Sequence, residues 1–437
     1  MITRLFAGVL TLSLLAGCGG GAKTPSTDTP KAPETSTPAA PKEVTITFAR
    51  GKDSTPATEK ALEAFRAKHP NIKVNFQEMP NDSSVQRDQY ATKFSAGDDS
   101  IDVIGLDIVW PPEFGAAGWV LPLDEYFTKA EQDKFLQGPL NANKYEGKLY
   151  SVPLFTAGGA FYYRKDILDK YGKQPPKNWD EIVALSKELV GKDGIEVGMV
   201  FQGAQYEGLT CNILEYMRGN GGDVFDKNGK VVVDSPNNVE AIKFMRKLID
   251  DKVVPAGVTT YKEPDALRMF IEGKALFMRH WAPAYATIQN SPESKVKDKV
   301  GVTAVPVGPN GTAPSSTLGG WNVGINANVP KERKDAAVTF VKWMTSEEAS
   351  KIFALEGAYI PIYPTLFDDK EILAKYPHWA DFKNIFLNSH PRPISPLYPQ
   401  VSDVIQVNMH KALSGSISAE EAAKNMQQGI QKIVDKK

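Results

Sequence analysis

The sequence predicts an α/β protein folded as two lobes. At 437 residues the chain is too long for a single hydrophobic core. Its first folded stretch reads strand, helix, strand, the pattern of a parallel sheet with flanking helices. The middle of the chain repeats that style.

In chain order, Val44, Ile46 and Phe48 alternate as a strand. Residues 56–69 follow as a helix with Ala57, Ala61, Leu62 and Phe65 on one face, stopped at His69-Pro70-Asn71. Ile72, Val74 and Phe76 make a second strand. Residues 101–106 form a denser apolar run, as a strand covered on both faces requires. Residues 179–190 read as a helix turning Ile182, Leu185 and Leu189 inward, and residues 239–249 as another carrying Ile242, Met245 and Ile249. A short helix at 266–271 precedes a strand at 275–278. Asp226-Lys227-Asn228-Gly229 reads as a hairpin turn, since the remaining ligands of a calcium loop are missing. Thr345 with Glu348, and Ser418 with Glu421, read as capping boxes of two late helices.

Ahead of the folded part, Arg4 and the apolar residues 5–15 make a secretory leader too short to span a bilayer. The leader ends in Leu15-Ala16-Gly17-Cys18, which resembles the lipobox of bacterial lipoproteins. That resemblance implies cleavage after residue 17 and a lipid on Cys18. Residues 19–42, rich in Gly, Thr, Pro, Ser and Ala, read as a disordered tether. Cys211, the other cysteine, then has no intrachain partner and reads as a small core residue. With 51 basic and 52 acidic residues the charge is balanced, which argues against nucleic acid as a partner.

From residue 43 onward the chain resembles the extracellular solute-binding proteins of ABC sugar importers, and within them the maltose/trehalose-binding branch. Five segments carry this: residues 102–119 (DVIGLDIVWPPEFGAAGW), 161–166 (FYYRKD), 202–222 (QGAQYEGLTCNILEYMRGNGG), 317–325 (TLGGWNVGI) and 391–400 (PRPISPLYPQ). The resemblance implies a periplasmic-binding-protein-like fold with a hinge between the lobes and the ligand in the cleft. Crossings are expected near Pro153, Pro306 and Pro361. One lobe would hold residues 43–153 and 307–362, the other 154–306 and 363–437.

Asp107 follows a buried strand, and ligands of α/β sheets bind beyond the carboxyl ends of strands. A carboxylate there can accept from two neighbouring sugar hydroxyls, or it is a turn residue. The resemblance also implies ligand contacts for Arg87, for Asp53 in the first strand-to-helix loop, and for the Gly320 backbone. Phe155 falls where the family carries an aromatic. Trp281 and Trp321 read as stacking surfaces for the C–H faces of sugar rings, with a core role as the alternative. Tyr206 and Glu207 read as contacts or as packing. Arg392, between two prolines, offers a five-donor fork to sugar oxygens or forms an interlobe ion pair. The segment 153–158 aligns with one that in disaccharide binders carries an acid where this chain has Ala157.

The expected ligand is an α-linked disaccharide such as trehalose or maltose. Alternatives are a glucosyl-polyol, sucrose or an oligosaccharide. The expected partners are importer permease subunits with a cytoplasmic ATPase, and a membrane reached through Cys18; the protein is expected to be monomeric. No metalloprotease, hydrolase-elbow, Cys-x-x-Cys or nucleotide-binding pattern occurs, and no cofactor or metal is expected. A secreted glycoside hydrolase remains the competing class, and it would need two opposed carboxylates.

Overall fold

The computed structural model describes residues 43–436. The leader, Cys18 and the tether lie outside the described residues. Among the described residues no helix is long and apolar enough to cross a membrane.

The opening follows its periodicity. Strand β1 (Val44–Gly51) buries Ile46 and Phe48, and helix α1 (Ala57–Lys68) buries Ala57, Ala61, Leu62 and Phe65 in the same core. Strand β2 (Ile72–Met79), helix α2 (Ser83–Ser95) and the fully buried strand β3 (Val103–Asp107) complete the unit. Then come the long strand β4 (Val152–Arg164), helix α3 (Trp179–Leu189), strand β5 (Val197–Val200) and helices α4 (Glu207–Gly219), α5 (Pro236–Asp250) and α6 (Glu263–Ile271). Strands β6 (Ala275–Trp281), β7 (Val300–Thr303) and β8 (Ser316–Ile325) lead to helices α7 (Lys331–Met344), α8 (Glu347–Gly357) and α9 (Trp379–Leu387). The described chain ends with the short strand β9 (Ser389–His390) and helices α10 (Tyr398–Leu413) and α11 (Ala419–Val434).

One hydrogen-bonded path joins the strands in the order β2-β1-β3-β8-β4-β6-β5, with β9 beside β8 and β7 beside β4. The sheet is mixed rather than parallel: β1, β2 and β3 run parallel, but β8 is antiparallel to both β3 and β4. One hydrophobic core surrounds β1 to β3, α1, α7 and α8, and a second surrounds α3 to α5, α10 and α11.

Strand β4 serves both halves. Its residues up to Gly158 pair with β8, and from Gly159 onward they pair with β6. Strand β8 pairs with β9 at Ser316 and Thr317, then with β4 from Leu318. The change of partner on β4 falls between Gly158 and Gly159, and that on β8 between Thr317 and Leu318. Residues 307 and 308 are still tied to the second half, through Lys177 and Gly219. Pro153 lies inside β4, paired with Asn322 beside a register shift, a place where a strand tolerates proline.

Of two smaller readings, the hairpin turn at Asp226 holds, closed by the antiparallel bridge between Phe225 and Val231, and one of the helix caps differs. The Asp226 turn forms, and Asp226 Oδ1 accepts from the Asn228 and Lys230 amides, which leaves a local Asx-type turn. Helix α8 is capped by Ser346, not Thr345, whose hydroxyl donates back to the Val341 carbonyl; Ser418 does cap α11.

Candidate functional site

The sheet sets the site. Asp107 on β3, Trp321 on β8 and Phe155 on β4 are register partners across three adjacent strands. Facing residues share one side of the sheet, and all three line one cavity of about 570 Å³. Tyr206, Glu207, Trp281, Gly320, Arg392 and Ala157 line it too. Gly320 has φ 144°, a region that favours glycine, and a Cβ there would lie 2.8 Å from the Phe155 carbonyl oxygen. Trp321 stands edge-on to Trp110 at 5.5 Å, and Phe155 packs on Tyr359 at 4.0 Å.

Arg392 bridges two acids. Its Nη2 donates to Asp107 Oδ1 and its Nη1 to Glu207 Oε1, each at 2.6 Å. Its Nε is buried and has no hydrogen-bond partner among the described residues. Glu207 Oε1 also accepts from the Tyr398 hydroxyl, and Oε2 from Ser402 at 2.5 Å. Both Glu207 oxygens are thus engaged, so it positions Arg392 more than it offers itself to a ligand. Burial pushes the Glu207 carboxyl up, against the opposing pull of Arg392. Asp107 keeps Oδ2 without a partner among the described residues.

Two expected contacts lie off the lining. Arg87 pairs with Glu113 of the short helix Pro111–Ala116, Nε to Oε2 at 3.0 Å, and with Asp88. Successive helical residues diverge by about 100°, so α2 instead presents Ser83 and Gln86 to the cavity. Asp53 is spent on its own loop: its oxygens accept from the amides and hydroxyls of Thr55 and Thr58 and from the Tyr359 hydroxyl. Burial opposes its ionisation, but Arg50 and these hydroxyls outweigh it and hold the carboxyl low.

Sequence reasoning missed Arg50, Glu263 and His280 as lining residues. Arg50 had a usable signal, its place near the carboxyl end of β1. Glu263 had none. It accepts from the Tyr206 hydroxyl at 2.6 Å and from the Trp281 indole at 3.3 Å. Cys211 is buried as expected, but it also borders the cavity. Among the described residues no group of His, Cys, Asp and Glu is arranged to hold a metal ion.

His280 carries a pH prediction. Its Nε2 faces the Glu263 carbonyl, which can only accept, while Nδ1 is buried without a partner. Burial holds the ring down to about 4, from an ordinary 6.5. The folded state therefore prefers the neutral ring. That preference stabilises fully above pH 6.5, on the order of 3 kcal/mol, and is lost as pH falls through about 4. His280→Leu is expected to flatten the loss of urea stability between pH 6.5 and 4. An unchanged slope would assign that loss to other groups.

The sequence profile described as "Bacterial extracellular solute-binding protein" matches residues 51–351. A probable ABC transporter-binding protein of Deinococcus radiodurans is 33% identical over 404 residues, covering 89% of this chain and 94% of that protein. The maltose-bound MalE3 of T. maritima is 40% identical with a TM-score of 0.85, covering 89% of this chain and 100% of that one. The GacH receptor of Streptomyces glaucescens, solved with acarbose, shares the fold at 24% identity and a TM-score of 0.80, covering 90% of this chain and 99% of that one.

Proposed function

The chain belongs to the bacterial extracellular solute-binding proteins of ABC sugar importers, and from that premise we propose that its cleft captures a neutral α-linked disaccharide of the maltose or trehalose kind. The observation that carries this is the lining itself. Trp281 and Trp321 offer flat apolar surfaces, and the charges around them cancel: Arg50, Lys52, Arg268 and Arg392 against Asp107, Glu207, Glu263 and Glu293. A balanced lining suits a neutral, many-hydroxyl ligand better than an anion or an amino acid. The volume, about 570 Å³, falls in the range of small-molecule sites.

Catalysis fits this lining poorly. A glycosidase needs two carboxylates free on opposite sides of the scissile bond, whereas of the four lining acids Asp107 and Glu207 share one guanidinium and Glu263 is engaged by Tyr206 and Trp281. On this reading the ligand passes to permease subunits coupled to an ATPase. The lipid on Cys18 holds the protein, as a monomer, at the membrane surface. A thermal-shift screen is expected to raise the melting temperature with maltose or trehalose and not with amino acids. A shift with an amino acid and with no sugar would overturn the proposal.

Ala157 bears on which sugar fits. It lines the cavity opposite Gly319, while Thr156 turns the other way and donates to the Gly319 carbonyl at 3.1 Å. Thr156 therefore cannot stand in for the acid that related disaccharide binders place at position 157. This favours a less hydroxylated ligand, such as a glucosyl-polyol, as the second reading. Ala157→Asp is expected to tighten maltose or trehalose binding by about tenfold or more, since a charge-assisted hydrogen bond contributes about 1.5–3 kcal/mol and each 1.4 kcal/mol is about tenfold. Calorimetry showing no gain would remove position 157 from the account of specificity.

A further inference from the structure

Behind the cavity wall lies a buried ion pair whose two residues are not part of the cavity lining. Arg279 on β6 and Glu215 on α4 are both fully buried. Glu215 accepts from Arg279 Nε at 2.8 Å and Nη2 at 2.5 Å, and from the Thr317 amide at 3.1 Å. Arg279 Nη1 donates to Gln202, which in turn donates to the Arg279 carbonyl. A buried ion pair is a weak source of stability, because apolar residues of similar volume often serve as well. Its placement points to another use.

Arg279 and Trp281 stand two apart on one strand, so their side chains share a face. The guanidinium carbon lies 4.1 Å from the Trp281 ring centroid, inside cation–π range. The indole N–H is held by Glu263. One face and one rim of the ring are thus fixed, and Trp281 still lines the cavity. Gly159 is its register partner across β4, and a Cβ there would sit 1.8 Å from Glu215 Oε1 and 2.6 Å from Arg279 Nη2. The missing side chain is what gives the pair its room. Thr317, the other anchor of Glu215, is the residue of β8 just before its change of partner.

We infer that Arg279 and Glu215 are positioning residues for ligand recognition: the pair holds the Trp281 ring in its stacking orientation and ties it to the crossing strand β8. This rests on the reading of Trp281 as a sugar-stacking surface. The test uses the full chain with and without the double change Arg279→Met and Glu215→Leu, each measured both with Trp281 intact and as Trp281→Phe. The difference in near-ultraviolet circular dichroism within each pair isolates the Trp281 contribution, without any sugar. That contribution is expected to be present in the parent and to collapse in the double variant. Calorimetric affinity for maltose and trehalose is expected to fall about tenfold while melting stays cooperative.

An unchanged Trp281 contribution in the folded double variant overturns the inference, whatever the affinity. If the double variant does not fold, Arg279→Lys is measured in the same way, since it keeps a cation for Glu215 without the flat fork. Failure of the underlying reading looks different. In that case Trp281→Ala leaves every sugar affinity unchanged although the dichroism still collapses.

Discussion

An Arg392→Ala variant is expected to lose about 3–5 kcal/mol of folding stability at pH 7, the cost of leaving buried charges uncompensated. Arg392 satisfies Asp107 from one side and Glu207 from the other, and neither acid has another basic partner among the described residues. The Tyr398 and Ser402 hydroxyls would still hold Glu207, but they cannot neutralise it. The deficit is expected to shrink in acid, where Glu207 protonates readily because burial already raises it. Urea unfolding of parent and variant at pH 7 and pH 4 measures both effects. A loss below 1 kcal/mol at pH 7 would mean that water reaches the triad and screens it.

Trp321→Ala is expected to weaken sugar binding by about 2 kcal/mol, roughly thirtyfold in affinity, with the fold largely intact. Trp321 is only partly buried, sits at the register position between Asp107 and Phe155, and meets the core edge-on through Trp110. Removing it takes away a wall of the cavity more than a piece of the core. Calorimetry and urea unfolding on the same preparation separate the two roles. A large fall in stability with unchanged affinity would make Trp321 a core residue.

The periodic parts of the molecule were legible in the sequence. Strand β1 and helix α1 follow from apolar spacing, and Asp107 follows from its place after a dense apolar strand. What escaped depended on partners distant in sequence. Arg87 stands one residue from Gln86, and only the packing of α2 decides which of them meets the cavity. Asp53 reads as a ligand carboxylate until Tyr359 and the two threonines are seen to occupy it. Glu263 owes its role to Tyr206 and Trp281, which no local pattern announces. The change of partner on β4 falls at Gly158 and Gly159, where Ser389 and the Arg279–Glu215 pair crowd the strand, a constraint that exists only once the strands have met.

The central claim is that this cleft binds one neutral sugar between Trp281 and Trp321. Titration calorimetry of the parent with maltose and with trehalose, in the presence of a chelator, tests it most directly. Saturable binding of one sugar per chain is expected for at least one of them, lost or sharply weakened when both tryptophans are replaced by alanine. Binding that survives the double replacement at full strength would contradict it.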